Sequence, residues 1–148
     1  MHKRHLEELK AYNHLISEMG TLCHEAAVQS GVSDSVHNIL YTIITFDSEC
    51  TQSNISQLTG IPRQTINSAI RKLEKDGILY LEEENRKNKI IRLTEKGHQF
   101  ANKTVMPVVN AECAVLSSWS EEDREMLFRL TRRYLEDFRR NLIKETEK

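Results

Sequence analysis

From Arg4 to about Val28 the apolar residues Leu6, Leu9, Tyr12, Leu15, Ile16, Met19, Leu22, Cys23 and Ala26 recur at three- and four-residue steps, the period of one helix face. The pattern predicts a long amphipathic helix that stops near Ser30-Gly31. Ser33-Asp34 then offers an N-cap for a second helix carrying Val36, Ile39, Leu40, Ile43 and Ile44, a face dense enough to be deeply buried. After Asp47 to Cys50, either Thr51 or Ser53 can cap a short helix running to Leu58-Thr59. Gly60 closes that helix in the left-handed conformation that glycine tolerates. Pro62 opens the next helix where its missing N–H costs nothing. That helix buries Ile66, Ala69, Ile70 and Leu73, presents a polar opposite face, and ends at Lys75-Asp76-Gly77.

Two β-patterned runs follow, Ile78 to Glu82 and Lys89 to Leu93, joined by the charged loop Glu83 to Asn88, which predicts a two-stranded hairpin. Thr94-Glu95-Lys96-Gly97 starts a helix through Phe100, Val105, Val109, Cys113 and Leu116. Pro107 lies at its middle and must kink it or follow a break. Ser120-Glu121-Glu122-Asp123 caps a last helix with the stripe Met126, Leu127, Leu130, Tyr134, Leu135, Phe138 and Leu142, acidic at its start as the helix dipole favours. The fold class is therefore mainly α with a small β-hairpin.

A chain of 148 residues holds one domain, not two complete cores. No run of about 18 apolar residues exists, so no membrane span is expected. The N-terminus runs into an amphipathic pattern rather than the apolar core of a signal peptide. Cys23, Cys50 and Cys113 stand too far apart for a zinc ribbon or a disulfide framework, which points to the cytoplasm. Charge changes the picture locally. The chain carries a formal net charge of −1, yet Gly60 to Arg92 holds eight basic against five acidic residues, as a dedicated polyanion-binding element would.

That basic segment coincides with a recognisable geometry. Two helices of about eight and fourteen residues, separated by Thr59-Gly60-Ile61, make a helix-turn-helix, and the charged hairpin behind them makes a wing. A recognition helix needs an apolar face to fix it and a face of short polar and basic groups to reach base edges and phosphates. Arg63, Gln64, Thr65, Asn67, Ser68, Arg71 and Lys72 supply the second face. Arg63 or Arg71 suits guanine, Gln64 or Asn67 suits adenine, and Thr65 offers a methyl to thymine and a hydroxyl to phosphate. The competing account, a solvated helix face, does not explain why the cap, turn, Pro-initiated helix and basic hairpin occur in succession.

The run from Thr51 to Gly77, with Ile90-Ile91-Arg92-Leu93-Thr94-Glu95-Lys96-Gly97 after it, resembles the helix-turn-helix, second wing strand and next helix of MarR family transcription regulators. The resemblance covers nearly the whole chain in element order. It implies one MarR-like domain over 1–148, with dimerisation helices at 1–32 and 98–148 and the winged helix-turn-helix at 33–97. It further implies a homodimeric repressor on a pseudo-palindromic operator in double-stranded DNA, modulated by a small molecule or an oxidant. The dimer has independent support, because terminal helices this long and this apolar exceed what a small DNA-binding domain can cover.

At the wing the chain departs from the family. Where an Asp-x-Arg is usual, Asn85 and Lys87 stand with Arg86 between them, and Arg86, Lys87 and Lys89 are the basic groups available for a minor groove. Glu82, Glu83 and Glu84 would repel phosphate unless turned away. The DNA-contacting set is thus Ser53 and the seven residues of the recognition helix, with Arg86, Lys87 and Lys89.

Cys23, next to His24, is the candidate redox sensor, against its place on the apolar stripe. The six histidines contain no i, i+4 pair, and no metal site or cofactor is expected; the alternative is a composite of Cys23, His24 and His37. A small-molecule pocket would lie between dimerising helices and DNA-binding part, near Tyr12, Ile16, Met19, Phe46 and Phe100, which read more simply as core. No nucleophile elbow, dinucleotide fingerprint, phosphate loop or His-Glu-x-x-His motif is present, so no enzyme is expected. The alternative function is a dimeric protein-interaction module that has kept the winged fold and lost DNA binding, motivated by the acidic wing.

Overall fold

The computed structural model describes residues 2–46, 49–85 and 88–146. Among the described residues seven helices and a hairpin follow one another: α1 (His2–Gln29), α2 (Asp34–Thr45), α3 (Gln52–Thr59), α4 (Arg63–Lys75), β1 (Leu79–Asn85), β2 (Asn88–Leu93), α5 (Glu95–Thr104), α6 (Met106–Ser118) and α7 (Glu121–Thr146). The chain forms two compact units, Met1–Val109 and Asn110–Lys148. No helix among the described residues is long and apolar enough to cross a membrane.

The caps fall where side-chain chemistry places them. Ser33 Oγ accepts from Val36 N, Thr94 Oγ1 from Gly97 N and Ser120 Oγ from Asp123 N, each satisfying one amide that the helix start leaves open. Thr51, not Ser53, caps α3. Its hydroxyl accepts from Asn54 N while Asn54 Oδ1 accepts from Thr51 N at 2.9 Å, a reciprocal pair that Ser53 has no acid or amide to match. Pro62 is the N-cap of α4 rather than its first helical residue.

The core of the first unit is aliphatic. Ile39 and Leu40 of α2, Ile55 of α3, Ile66 and Ile70 of α4, Leu79 and Ile91 of the hairpin, and Val105 are fully or almost fully buried. His24 of α1 meets Asp34 at the start of α2, Nδ1 lying 2.8 Å from Oδ1.

One expected boundary is corrected, and of the two alternatives at Pro107 the break is the one that forms. The charged loop shortens, because β1 runs on through Asn85 and pairs antiparallel with Asn88 onward. Glu83 opposite Lys89 extends the ladder with an ion pair of 3.6 Å rather than breaking it. The helix after Thr94 is two helices. α5 ends at Thr104, Val105 sits at φ −115°, and Pro107 is the second residue of α6, where its missing N–H breaks no helical bond.

In the second unit α7 carries Met126, Leu127, Leu130, Tyr134, Leu135, Phe138 and Leu142, all more than a third exposed. On α1 the same holds for Leu6, Leu9, Tyr12, Leu15, Ile16, Met19 and Leu22. Tyr12, Ile16 and Met19 are therefore not core of the single chain, contrary to the reading from periodicity. A helical stripe shows that a face is to be covered, not what covers it.

Candidate nucleic-acid interface

The helix-turn-helix is built from backbone outward. Gly60 takes φ +70° and donates its N–H to Ser56 O at 3.0 Å, closing α3 in a conformation that a side chain resists. Ser56 Oγ donates to Ile61 O at 3.0 Å and Ile61 N donates to Thr59 Oγ1 at 3.2 Å, so the turn's polar groups are satisfied locally. α4 then leaves at a fixed angle. Ile66, Ile70 and Leu73 are buried with 4% exposure or less, and a helix pinned along i, i+4, i+7 must present the other side to solvent.

On that side the structure brings together all seven residues expected there. Arg63, Gln64, Thr65, Asn67, Ser68, Arg71 and Lys72 are all exposed. Ser68 Oγ donates to Gln64 O at 3.0 Å, within the helix. Ser53 is half-buried on α3, and its Oγ accepts from Arg63 Nη2 at 3.1 Å. Lys89 is exposed on β2 and paired with Glu83. Arg86 and Lys87 lie outside the described residues.

The wing also holds a residue that the sequence reading missed. Thr51 bridges Ile90 antiparallel on the far side of β2 from β1, and Ile91 N donates to Cys50 O at 2.8 Å. Two residues further along the same register, Glu49 faces Arg92. Arg92 donates from Nε to Glu82 at 2.8 Å and from Nη2 to Glu49 at 3.2 Å, standing between a carboxylate on each neighbouring segment. The hydrogen bond to Glu82, helped by the charge of Glu49, holds the guanidinium above its ordinary pKa. Glu82 and Glu83 are thus each committed to a cation, so the acidity of the wing is partly cancelled on the protein itself. Arg92→Ala is expected to speed amide exchange across β1 and β2 several-fold while leaving α2 unchanged, read by hydrogen–deuterium exchange. Uniform exchange in variant and parent would show that the clamp holds nothing.

Behind the wing a cleft of about 660 Å³ is lined by Ile43 and Phe46 of the α2 end, Tyr80, Arg92, His98 and Met106 among others. Of the pocket residues expected from sequence, Phe46 alone lines it. Cys50 lies in its wall with 3% exposure, and burial pushes its thiol pKa up to about 11, which leaves little reactive thiolate at neutral pH. Cys23 is partly exposed and Cys113 exposed. His24 is turned to Asp34 and His37 is buried against Tyr41, so the composite with Cys23 does not form. Among the described residues no three His, Cys, Asp or Glu side chains converge as metal ligands.

A capped helix, a left-handed glycine turn, a second helix with one polar and basic face, and a two-stranded hairpin define the winged helix-turn-helix class of fold. Within that class, residues 30–88 match the MarR family. A MarR family regulator from Neisseria meningitidis has a similar structure at 18% identity, with a TM-score of 0.76 over 93% of this chain and 98% of that one. The S. aureus MepR–DNA complex is similar at 19% identity, with a TM-score of 0.61 over 87% and 96%. A MarR family protein from Listeria monocytogenes complexed with 26mer DNA gives 21% identity and a TM-score of 0.65 over 87% of each chain. No curated protein matches the sequence. The match covers the helix-turn-helix and the first wing strand, and the fold of the chain is similar to that of MarR winged-helix structures.

Proposed function

We propose that this protein is a homodimeric transcription regulator, acting as a repressor, that binds a pseudo-palindromic operator through α4 and is modulated by a small molecule. The observation that carries the reading is the exposed face of α4, with three cations and four short polar side chains on a helix fixed by three buried aliphatics. Two of the similar structures are DNA complexes, which supports the same use here. In this reading α4 enters the major groove with its N-terminal residues at base edges, and the hairpin lies against the backbone or minor groove, with Lys89, Arg86 and Lys87 as its cations. Residues 33–97 form the DNA-binding part and 1–32 with 98–148 the dimerising helices.

The exposed stripes of α1 and α7 support the dimer. A two-fold pairing would present two copies of α4 to successive grooves. The cleft behind the wing is the seat for an effector, because a ligand there touches α2, both strands and α5 at once. Oxidation at the partly exposed Cys23 is the second input this reading allows. Pairing of Glu82 with Arg92 and Glu83 with Lys89 weakens the motive for the interaction-module alternative.

Fluorescence anisotropy against labelled DNA from the protein's own upstream region, with a shuffled control at two salt concentrations, tests the reading. Preferential binding that weakens as salt rises is expected, since each neutralised phosphate releases counterions. Arg71→Ala is expected to lose about 1–3 kcal/mol of binding with the oligomeric state unchanged. Full affinity in that variant, or no preference for the upstream fragment in reducing and metal-free buffer, would turn the reading toward an interaction module.

A further inference from the structure

Arg63 stands where helix electrostatics give a cation nothing. It is the first residue of α4, whose N-terminal end is positive, its N-cap Pro62 offers no side-chain acceptor, and no acid lies in the first turn. The side chain instead reaches back across the turn to α3, where Nη2 donates to Ser53 Oγ at 3.1 Å. Ser53 is itself placed by the reciprocal Thr51–Asn54 cap at the start of α3.

The chemistry of this contact differs from that at Arg92 of the wing. Arg92 is bound by two carboxylates, which take its donors and cancel its charge. Ser53 is neutral, so it fixes a guanidinium and leaves the charge intact. Its single acceptor also takes little. A guanidinium presents two two-donor edges, both of which include Nη2, and one hydrogen bond at Nη2 occupies one edge and leaves the other open. An open edge of that kind fits O6 and N7 of guanine, and the N-terminal residues of a recognition helix are those that meet base edges.

We propose that Ser53 is a positioning residue of the DNA interface, whose hydroxyl oxygen holds the Arg63 guanidinium across the α3–α4 turn with one edge free to read a guanine in the major groove. The assignment rests on the reading of the chain as a DNA-binding regulator. It makes Ser53 act through Arg63 rather than on a phosphate of its own. Rotamer freedom that Arg63 would lose on binding is then given up before DNA arrives, which sharpens discrimination.

The test starts from duplexes selected out of a random pool by the wild-type protein, followed by anisotropy with every single base-pair replacement in the selected site. Arg63→Ala is expected to abolish the preference at one G·C pair in each half-site, a preference of roughly tenfold or more in the parent. Ser53→Ala is expected to reduce that same preference by about three- to tenfold, with other positions and the slope of log affinity against log salt unchanged. Ser53→Thr should keep the preference and Ser53→Val, of the same shape without the hydroxyl, should lose it. Uniform weakening on all duplexes with a shallower salt slope would make Ser53 a phosphate contact and overturn the assignment. A preference left intact by Ser53→Ala and Ser53→Val would overturn it as well. A wild-type protein that selects no sequence would overturn the regulator reading and this assignment together.

Discussion

Gly97→Ala will destabilise the protein by on the order of 3 kcal/mol or more, although alanine is the better helix former by about 1 kcal/mol. Gly97 lies in the first turn of α5, and a Cβ there would sit 1.9 Å from the carbonyl oxygen of Ile78 and 3.3 Å from Leu93 Cβ. The first obstacle is backbone, which cannot rotate aside. Opening the contact would also pull α5 from the groups it holds. Thr94 N and Oγ1 donate to Ile78 O at 3.1 and 3.2 Å, Thr94 Oγ1 also donates to Gly77 O, and Lys96 Nζ donates to Asp76 O at 2.6 Å. These bonds satisfy carbonyls just past the C-terminal end of α4, so the damage would reach the helix proposed to read DNA. A fall in melting temperature of roughly 10 °C is expected by circular dichroism. A variant as stable as the parent, or more stable, would show that α5 does not approach the chain after α4 this closely.

Much of this architecture was legible in the sequence because its signals are local. Ser33, Thr51, Thr94 and Ser120 each precede an amphipathic run, and Gly60 ends one. A cap or a left-handed turn depends on residues three or four positions away, so spacing suffices to find it. The buried Ile66, Ile70 and Leu73 followed from period alone, and with them the exposed face of α4. What failed was also physical. A run of acids reads as a loop when counted along the chain, but Glu83 meets Lys89 across it and the ladder continues. Arg92 was invisible for the same reason, since its partners Glu82 and Glu49 lie ten and forty-three residues away. Only the register connects them. The hydrogen bond from Arg63 to Ser53 was equally invisible, because it joins two helices across a turn, a relation that no helix period reports.

In the proposed dimer, Leu15→Glu and Leu135→Glu are each expected to give a monomer that no longer holds its operator. In the single chain seven large apolar side chains of α1 and seven of α7 are between 38 and 65% exposed. At roughly 80 Å² for a half-exposed side chain of this size each stripe by itself leaves on the order of 560 Å² of apolar surface, at the upper end of what a contiguous patch on a soluble monomer usually shows. Leu15 is 59% and Leu135 47% exposed, each near the middle of its stripe, so a carboxylate there would be desolvated without a partner if a second copy covers it. Two-fold symmetry places every substitution in the interface twice. At about 2 kcal/mol for each copy the dimer would weaken roughly a thousandfold. Sedimentation velocity at micromolar concentration reads the outcome, and circular dichroism checks that the helices remain. Loss of the dimer should carry loss of operator binding with it, because each copy of α4 then meets its half-site alone. Dimers that persist in both variants would place the subunit interface elsewhere, and the stripes of α1 and α7 would need another cover.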